Sequence, residues 1–472
     1  MRRRTFLGAG SAAMMLPGAG RATSQPLRAD VIVIGAGLSG LHAAALLEAA
    51  GQRVIVLEGR DRVGGRVFSL DQVKGHPEAG ANTMLAAYGR TLDVARTLGL
   101  PLMDMSLRQS PGPAALYLGG RMMTLAEWGK AATNPFTGER RAMPPSALCW
   151  AEVAKADPLT AIDGWCDPAN AALDVSMEHF LAGRGYSPAG IRLAYDTNPA
   201  YGRDASEVSL LNWLFLDAFF KAQRTAGSAE WAVVGGNSRL PEAMARGLKG
   251  PILLGQRVVA VRADGAAIEV ACADGTRARA SHVVCSMPLS TMRDVLFDPP
   301  LPPLHQRAVR EVPHMKITQT HFEVSEPFWE EDGLPIDMWT DTDLGVFSAA
   351  RGGASPTEVT SLAAWARGDA AARLDRLPEA EARAHVLAEL ERVRPAAKGR
   401  VRVAGFKSWQ TDPFSRGDWV VWKPGQPTVL PRACGAAHGR VHFCGEHTAI
   451  SSRGMEGALE SGERVALEII AP

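Results

Sequence analysis

The chain lacks the features that mark several classes of protein. Its 472 residues include 51 Lys and Arg and 50 Asp and Glu, a formal net charge of +1. Nothing in this balance indicates a nucleic-acid partner or a strongly acidic substrate. No internal apolar run reaches the roughly 18 residues that a membrane-spanning helix needs, so we expect no stable membrane insertion. The remaining composition, 46% hydrophobic and 21% charged, is typical of a soluble globular protein with two or three domains.

Metal-binding patterns are also missing. The six cysteines form no Cys-x-x-Cys pair and no Cys/His cluster, so the sequence predicts no metal site. Cys434 and Cys444 are the closest pair, and a disulfide between them is one alternative if the chain is exported. Buried free thiols are the other alternative.

The first positive signal has the order strand, glycine turn, helix, strand and acid. The apolar residues 31–34 predict a buried parallel strand. Residues 38–50 predict a helix that stops at Gly51, and residues 54–57 predict a second strand that ends at Glu58. This order is typical of a dinucleotide-binding unit.

Three glycines connect the first strand to the helix with the spacing G-x-G-x-x-G. Gly35 permits a tight turn, Gly37 lets the backbone approach a pyrophosphate, and Gly40 lets the helix pack against the strand. The start of the helix, which includes Ser39, offers N–H groups to phosphate oxygens. Glu58 is placed to accept hydrogen bonds from a ribose hydroxyl. We therefore expect a bound dinucleotide; a glycine turn that only packs a helix is the alternative.

A second pair of glycines indicates which dinucleotide is bound. Gly64 and Gly65 bring the backbone close to the ligand again, and Arg66 can neutralise a diphosphate bidentately. The arrangement E-x-R-x-x-x-G-G-R, from Glu58 through Arg60 to Arg66, resembles the FAD-binding start of the flavin amine oxidase superfamily. That superfamily includes monoamine, polyamine and L-amino-acid oxidases. By this resemblance Glu58 contacts the adenosine ribose, and Arg60 and Arg66 lie beside the pyrophosphate.

The segment E-A-G-A-N-T-M-L resembles a turn that lies beside the flavin ring in the superfamily, and its turn residues are Gly80, Ala81 and Asn82. Some amino-acid oxidases carry an arginine just after this turn to hold the substrate carboxylate. Residues 83–85 are Thr, Met and Leu here. This difference argues against an amino-acid substrate, unless an arginine comes from elsewhere.

The middle of the chain resembles a return to the cofactor domain. Residues 233–240 resemble a second glycine turn, and the backbone at Val258 pairs with the adenine in relatives. Asp-Gly pairs at 264–265 and 274–275 predict two hairpin turns. A small β-meander should therefore be followed by a strand at 282–286 that returns to the main sheet.

The substrate part should contain helices at 173–181, 208–220 and 373–394. The second carries aromatic side chains that either pack in the core or line a substrate route: Trp213, Phe215, Phe219 and Phe220.

A lysine on a predicted strand is the first candidate catalytic residue. Residues 315–323 alternate as a strand, with Lys316 on the face opposite Ile317 and Gln319. Relatives carry a lysine at the matching place, where it holds a water against flavin N5, and E-P-F-W follows at 326–329 as in the superfamily. The resemblance assigns Lys316 a catalytic role; an ordinary solvated lysine is the alternative.

Two tryptophans in the C-terminal part are also candidates. Residues 406–417 resemble the segment W-x-x-x-x-[YF]-[ST]-x-G. By this resemblance Trp409 flanks the isoalloxazine, and Trp419 stands where monoamine oxidases place one tyrosine of an aromatic cage. Such a wall favours a neutral or cationic amine. Asp418 occupies the position of a flavin-linking cysteine and cannot form a thioether, so the FAD should be bound non-covalently.

The last motif resembles the closing motif of the superfamily, G-E-x-T followed by M-E-G-A-x-x-S-G. It places Gly445 and Glu446 after a strand, and a helix that starts near Met455. The N-terminus of this helix would face the N1/C2=O edge of the flavin, where negative charge develops on reduction. Gly454 replaces a second cage tyrosine, which implies open volume beside Trp419.

These matches imply an α/β fold with a discontinuous Rossmann-like FAD-binding domain and an interleaved α+β substrate-binding domain. We expect the FAD-binding domain to comprise residues 27–90, 228–300 and 401–472. The substrate-binding domain should comprise residues 91–227 and 301–400.

The first 25 residues combine basic, apolar and small-residue regions, with Arg2 and Arg3 ahead of Phe6 and Leu7. They resemble a bacterial twin-arginine signal, which exports proteins already folded around a cofactor. We therefore expect a periplasmic protein. A basic tail with accidental spacing is the alternative.

The resemblance implies an enzyme that oxidises the C–N bond of a small-molecule amine. Hydride transfer to flavin N5 gives an imine, which hydrolyses to a carbonyl compound plus amine or ammonia. An amino-acid oxidase or dehydrogenase is the first alternative. A desaturase and a non-catalytic binding protein are lesser alternatives. The electron acceptor is either oxygen or a periplasmic carrier such as cytochrome c.

Overall fold

The computed structural model describes residues 26–110, 112 and 114–471, so the predicted signal at 1–25 lies outside the described residues.

A parallel sheet carries the first glycine turn. It has five strands, in the order Val441–Phe443, His282–Cys285, Val31–Ile34, Val54–Leu57 and Ile252–Leu253. Strands Val31–Ile34 and Val54–Leu57 have the predicted bounds, and His282–Cys285 is the predicted strand that returns to this sheet.

Both faces of this sheet are covered. Val31 and Val33 pack into one apolar cluster, which includes Leu459 of the last helix. Ile32 and Ile34 pack into another cluster on the opposite face. A parallel strand that is covered on both faces has an unbroken run of apolar residues, and such a run predicts strand Val31–Ile34 from the sequence. The α/β class is confirmed.

A second five-stranded sheet contains the predicted meander. Asp264 pairs with Ala267, so a tight turn through Gly265, at φ +61°, joins the two strands as the Asp-Gly pair predicted. The strands lie in the order Leu27–Arg28, Arg277–Ala280, Ala267–Cys272, Val258–Asp264 and Leu296–Asp298.

The other two sheets were not predicted in detail. One has three strands, Met84–Leu85, Glu230–Val233 and Leu102–Asp104 in that order. The other has seven, in the order Val401–Ser408, Ile317–Val324, Ser361–Arg367, Val346–Ala350, Met338–Thr340, Ala115–Leu118 and Arg121–Met123. Strand 401–408 thus pairs with 317–324, although the predicted domain boundary lies at 400/401.

Local capping and proline set the helix limits. The predicted helix at 173–181 begins only at Met177, because the Ser176 hydroxyl accepts a hydrogen bond from the His179 N–H and thereby caps it. The predicted helix at 373–394 is two helices, because Pro378 interrupts it. The helices are Leu38–Ala49, Gly89–Thr97, Leu125–Lys130, Pro145–Ala156, Met177–Gly183, Pro188–Ile191, Leu210–Ala226, Arg239–Gly247, Leu289–Met292, Pro303–Glu311, Phe328–Asp332, Gly368–Leu374, Glu379–Val393, Leu430–Gly435 and Gly454–Ile470.

All six cysteines are buried and free, so Cys434 and Cys444 are not joined. Within the described ranges, no helix has both the length and the apolar character needed to cross a membrane.

Candidate active site

One large cavity, about 640 Å³ in volume, extends from the first glycine turn to the seven-stranded sheet. Its lining includes Gly37 and Glu58 at the carboxyl ends of the parallel strands, where ligands bind in open α/β sheets. It also includes Val346, Ser348 and Trp365 of the seven-stranded sheet. A single cavity therefore joins a dinucleotide-type cradle to a region that the seven-stranded sheet lines with Val346, Ser348 and Trp365, here called the second chamber.

The three glycines of the first turn have distinct roles. Gly35 has φ +102°, and a Cβ atom there would lie 2.4 Å from Ser286 Oγ. A Cβ atom at Gly40 would lie 2.1 Å from the Gly35 carbonyl oxygen, so the helix packs closely on the turn. A Cβ atom at Gly37 would meet nothing within 4 Å, and Gly37 lines the cavity. Gly37 thus offers bare backbone to a ligand, and Ser39 lies on the same wall.

Glu58 is buried at the end of the second strand and is fixed by backbone donors. One carboxylate oxygen accepts the Ala36 N–H at 2.8 Å, and the other accepts the Arg60 N–H at 2.8 Å. Each oxygen retains a lone pair, and Glu58 lines the cavity. The carboxylate is therefore held in place for a hydroxyl donor.

Arg60 lines the cavity and is held from behind. Its Nη2 donates to Asp412 and to Ser415 Oγ, both at 2.7 Å. Its buried Nε has no partner among the described residues. A guanidinium with a buried unsatisfied N–H at a cavity wall is suited to a phosphate oxygen.

The second glycine pair also lines the cavity. Gly64 and Gly65 have φ angles of +99° and +58°, which favour glycine. Arg66 follows on the same wall, and its Nη1 donates to the Asp418 carbonyl oxygen and, at 3.1 Å, to Glu446.

Glu446 is not among the residues that line the cavity. Its Oε1 accepts the Arg66 Nη1 and, at 3.0 Å, the Val420 N–H. The structure does not place Glu446 on the cavity wall, and its contact with the cofactor stays a prediction. One oxygen of the carboxylate thus holds Arg66, and the other, Oε2, is buried without a partner among the described residues.

The wall formed by Gly80, Ala81 and Asn82 depends on a residue that the sequence did not single out as a site residue. Asn237 is fully buried, and its side-chain amide donates to the carbonyls of Ala81 and Asn82 at 3.1 and 2.9 Å. A Cβ atom at Gly80 would lie 2.0 Å from the Arg66 carbonyl oxygen. The second glycine turn thus supports this wall from outside the cavity.

Residues near the start of the last helix close the cavity on another side. Gly445, Gly454 and Met455 all line it, as does Val258. The helix begins at Gly454, which has φ +58°. A Cβ atom there would lie 3.2 Å from the Tyr88 hydroxyl oxygen, so part of the volume that was expected to be open contains Tyr88.

The second chamber has an aromatic wall. Trp419 lines it, as predicted for a cage position, and its ring centroid lies 5.8 Å from that of Tyr201 at 35°. Arg453 lies over the Tyr201 ring at 5.0 Å. The sequence does not mark Tyr201 or Arg453 as site residues, because neither lies within a motif of the superfamily.

The aromatic side chains of helix Leu210–Ala226 divide between two environments. Phe219 and Phe220 line the cavity and also pack against an apolar core cluster, whereas Trp213 and Phe215 only pack in the core. Both alternatives considered for this helix thus apply to different residues.

The structure does not bring Lys316 and Trp409 to the cavity. Lys316 is exposed, because the buried side chains of Met315 and Ile317 on either side turn it outward. Trp409 is buried, and its Nε1 donates to the Ala79 carbonyl at 2.7 Å. Neither lines the cavity. Trp409 supports the wall that contains Gly80, and Lys316 faces solvent. The predicted roles of both residues at the flavin stay predictions, which this placement does not support.

Asp418 brings an unusual carboxyl group to the cavity wall. Burial raises its pKa from the ordinary 3.8 to about 6, and the charge of Glu446 acts in the same direction. Arg66 and two further arginines oppose this rise but do not cancel it. The carboxyl group is therefore about half protonated near pH 6 and mostly ionised at pH 7.

This pKa predicts a pH-dependent stability. The folded state binds the Asp418 proton more tightly than the unfolded state does. The contribution of this proton to the free energy of unfolding is therefore fully present below pH 4. It is lost as the pH rises to about 6 and above. We expect Asp418→Asn to raise the stability relative to the wild type by up to about 3 kcal/mol at pH 7 to 8, and little at pH 4. Melting temperatures across this range test this. Asp369→Asn, at an exposed site, is the control, and a pH-independent difference would contradict the assignment.

The residues on the wall fit FAD. Bare backbone at Gly37, a fixed carboxylate at Glu58 and an unsatisfied N–H at Arg60 are the groups that a dinucleotide requires. In the part of the chain that the structure describes, no cluster of three or more His, Cys, Asp or Glu side chains is placed to hold a metal ion.

Comparisons with known proteins agree with this geometry. The family described as flavin containing amine oxidoreductase matches residues 38–470. A putative L-amino-acid oxidase, YobN of Bacillus subtilis, is 27% identical, covering 93% of this chain and 94% of that protein. Flavin-containing amine oxidase B of Sus scrofa is 26% identical, covering 94% and 86%. The solved cyclohexylamine oxidase of Brevibacterium oxydans has a TM-score of 0.77 at 23% identity, covering 94% and 98%.

Proposed function

The chain belongs to the flavin-containing amine oxidoreductase family, and from this we propose that it oxidises the C–N bond of an amine in the cavity described above. It is a flavin-dependent oxidoreductase, and its cofactor is FAD. The observation that supports the proposal best is the continuity of the cavity, which joins the glycine cradle to the aromatic wall of Trp419 and Tyr201.

FAD, when bound, supplies the two-electron acceptor that takes a hydride from the carbon next to the substrate nitrogen. The chain provides the cradle. Gly37 and the pair Gly64–Gly65 offer backbone, Arg60 and Arg66 offer positive charge, and Glu58 accepts from a hydroxyl. The first turn of helix Gly454–Ile470 adds a positive dipole end at the wall.

We propose that the FAD is held without a covalent bond. Asp418, not a cysteine, stands at the position that resembles a flavin-linking site. None of the six cysteines lines the cavity. Denaturation followed by filtration should release all of the yellow colour into the filtrate; colour retained with the protein would contradict this.

The second chamber would orient the substrate and exclude water. The rings of Trp419, Tyr201 and Phe219 provide apolar area against the carbon skeleton of an amine. Hydride loss requires the neutral amine, so the substrate must lose its ammonium proton before or during binding. The imine product then hydrolyses in water to a carbonyl compound plus amine or ammonia.

Anaerobic mixing tests the proposal. The purified protein should show the visible spectrum of oxidised flavin, and a substrate amine should bleach it without oxygen. A protein that is bleached by no amine or amino acid would contradict the proposed function. Readmission of air, or addition of a c-type cytochrome, then distinguishes between the two electron acceptors.

Trp419 offers a site test. Because its ring faces the cavity and contacts Tyr201, we expect Trp419→Ala to lower the rate constant of flavin reduction divided by the substrate Kd by at least about tenfold, or 1.4 kcal/mol. Trp419→Phe keeps a ring and should lose less. Stopped-flow reduction measures both, and equal losses in the two variants would argue against an aromatic wall.

We also propose export to the periplasm by the twin-arginine signal, on the resemblance of residues 1–25 alone. Cell fractionation of the full chain, with Arg2 and Arg3 both replaced by Lys as the comparison, tests it. Retention of both forms in the cytoplasm would contradict the signal.

A further inference from the structure

Arg453 is the residue immediately before the last helix, Gly454–Ile470. It lines the cavity together with Gly454 and Met455, the first two residues of that helix. Only 7% of its surface is exposed. The N-terminus of a helix carries a partial positive charge, so the full charge of Arg453 and the dipole of the helix act on the same part of the cavity wall.

Aromatic rings and a backbone carbonyl hold the guanidinium of Arg453. It lies over the Tyr201 ring at 5.0 Å and over the Phe215 ring at 5.4 Å. Its Nη2 donates to the Val420 carbonyl oxygen at 3.1 Å, and its Nη1 is buried without a partner among the described residues. Contacts of these kinds fix a cation in place without neutralising its charge.

Other arginines of the cavity wall differ from Arg453 in pairing or in position. The carboxylate partners are Asp412 for Arg60, Glu446 for Arg66 and Asp294 for Arg257. Arg367 also has a buried N–H without a partner among the described residues, so the missing partner alone does not distinguish Arg453. Its position does, because Arg367 ends a strand of the seven-stranded sheet, whereas Arg453 stands at the helix terminus.

A positive charge at this terminus affects the two oxidation states of FAD differently. The diphosphate of FAD is negative in both states, whereas the isoalloxazine gains negative charge only when it accepts a hydride. A cation near the ring therefore stabilises the reduced state more than the oxidised state, and charge near the ring is one way in which a protein sets the potential of a flavin. The ionised Asp418 on the same wall acts in the opposite direction, and Arg453 in turn lowers the pKa of its carboxyl group.

We propose that Arg453 raises the reduction potential of the bound FAD, by adding a fixed and unneutralised positive charge to the N-terminus of the last helix. The proposal rests on the proposed function and adds a residue to its site. Arg453 tunes the cofactor electrostatically, and no bond to Arg453 forms or breaks during the reaction. A higher potential favours transfer of the hydride from the amine to the flavin.

Potentiometric reduction of the FAD-containing protein tests this without any substrate, with an indicator dye of known potential as the reference. In Arg453→Met, we expect the equilibrium constant for reduction to fall at least about tenfold, which lowers the midpoint potential of a two-electron couple by about 30 mV. Arg453→Lys keeps the charge and should restore at least part of the loss. Arg432→Met is the matched control, because Arg432 has a 58% exposed side chain on another helix, and its potential should equal that of the wild type.

Three results would overturn the proposal. The first is an unchanged potential in Arg453→Met. The second is an equal fall in the Met and Lys variants, which would assign the effect to packing and not to charge. The third is loss of FAD from both of these variants and from Arg453→Gln, which would show that Arg453 holds the cofactor. If Arg453→Met alone loses FAD, the potentials of Arg453→Gln and Arg453→Lys decide.

The test also separates this proposal from amine oxidation. If no amine or amino acid reduces the flavin of the wild type, the proposed function fails, and the potential of Arg453→Met still tests the role of Arg453. If amines reduce the flavin and the potential of Arg453→Met is unchanged, amine oxidation stands and the tuning role fails.

Discussion

Replacing Gly37 by Asp should abolish FAD retention while leaving the fold intact. A Cβ atom at this position has open space, and the residue has an extended backbone, with φ −75° and ψ 173°, that any amino acid adopts. The added carboxylate would face the phosphates. Two like charges about 4 Å apart repel by about 4 kcal/mol at an effective dielectric constant of about 20, so the Kd for FAD should rise on the order of 1,000-fold.

The measurement is the ratio of flavin to protein absorbance after purification, followed by titration of the flavin-free protein with FAD. Gly37→Ala adds only a methyl group and should retain most of the affinity. Gly40→Ala differs, because its Cβ atom would lie 2.1 Å from the Gly35 carbonyl oxygen, and it should lower the melting temperature of the flavin-free protein. If Gly37→Asp binds FAD normally, the phosphates do not lie at this turn.

Replacing Glu446 by Ala should lower the stability by about 3 kcal/mol, because it leaves the charge of Arg66 without its carboxylate partner inside the protein. It also removes the acceptor of the Val420 N–H. The retained bond from Arg66 to the Asp418 carbonyl keeps the loss at the lower end of the range for buried pairs. FAD affinity should fall as well, since Arg66 loses the contact that orients it.

Thermal melting of the flavin-free protein separates this role from direct cofactor binding. A residue that only contacts FAD would leave the flavin-free melting temperature unchanged, whereas Glu446→Ala should lower it by several degrees. Glu446→Gln keeps an acceptor for the Val420 N–H and should recover part of the loss. An unchanged melting temperature in Glu446→Ala would contradict the role of Glu446 in holding Arg66 and would favour a direct contact with FAD.

The cofactor cradle was readable from the sequence because its parts are contiguous. Strand 31–34, the three glycines and helix Leu38–Ala49 lie within one short segment. Each glycine reports a local need: a turn, an approach to a ligand or a close helix contact. The same holds for the hairpin at Asp264-Gly265. Short-range backbone geometry is encoded locally, so these elements agree with expectation to within a residue or two.

The second chamber could not be predicted from the sequence in this way. Its wall combines Tyr201, Trp365, Arg367 and Trp419, which come from distant parts of the chain and of which only Trp419 belongs to a recognisable motif. The strand pattern around Lys316 and the E-P-F-W segment that follows it both resemble the superfamily. The structure shows that a residue's place on a strand does not decide whether its side chain reaches the cavity.

By itself, therefore, the sequence predicted the α/β fold and a dinucleotide cradle, because glycine spacing and apolar periodicity are properties of neighbouring residues. The family and FAD came from the resemblance of its motifs. Only the tertiary structure decided that Lys316 faces solvent, that Glu446 holds Arg66 and that Arg367 lies on the cavity wall without a partner among the described residues. Each of these depends on how separate strands pack, since packing sets which side chains share a cavity and which charges are left without a partner.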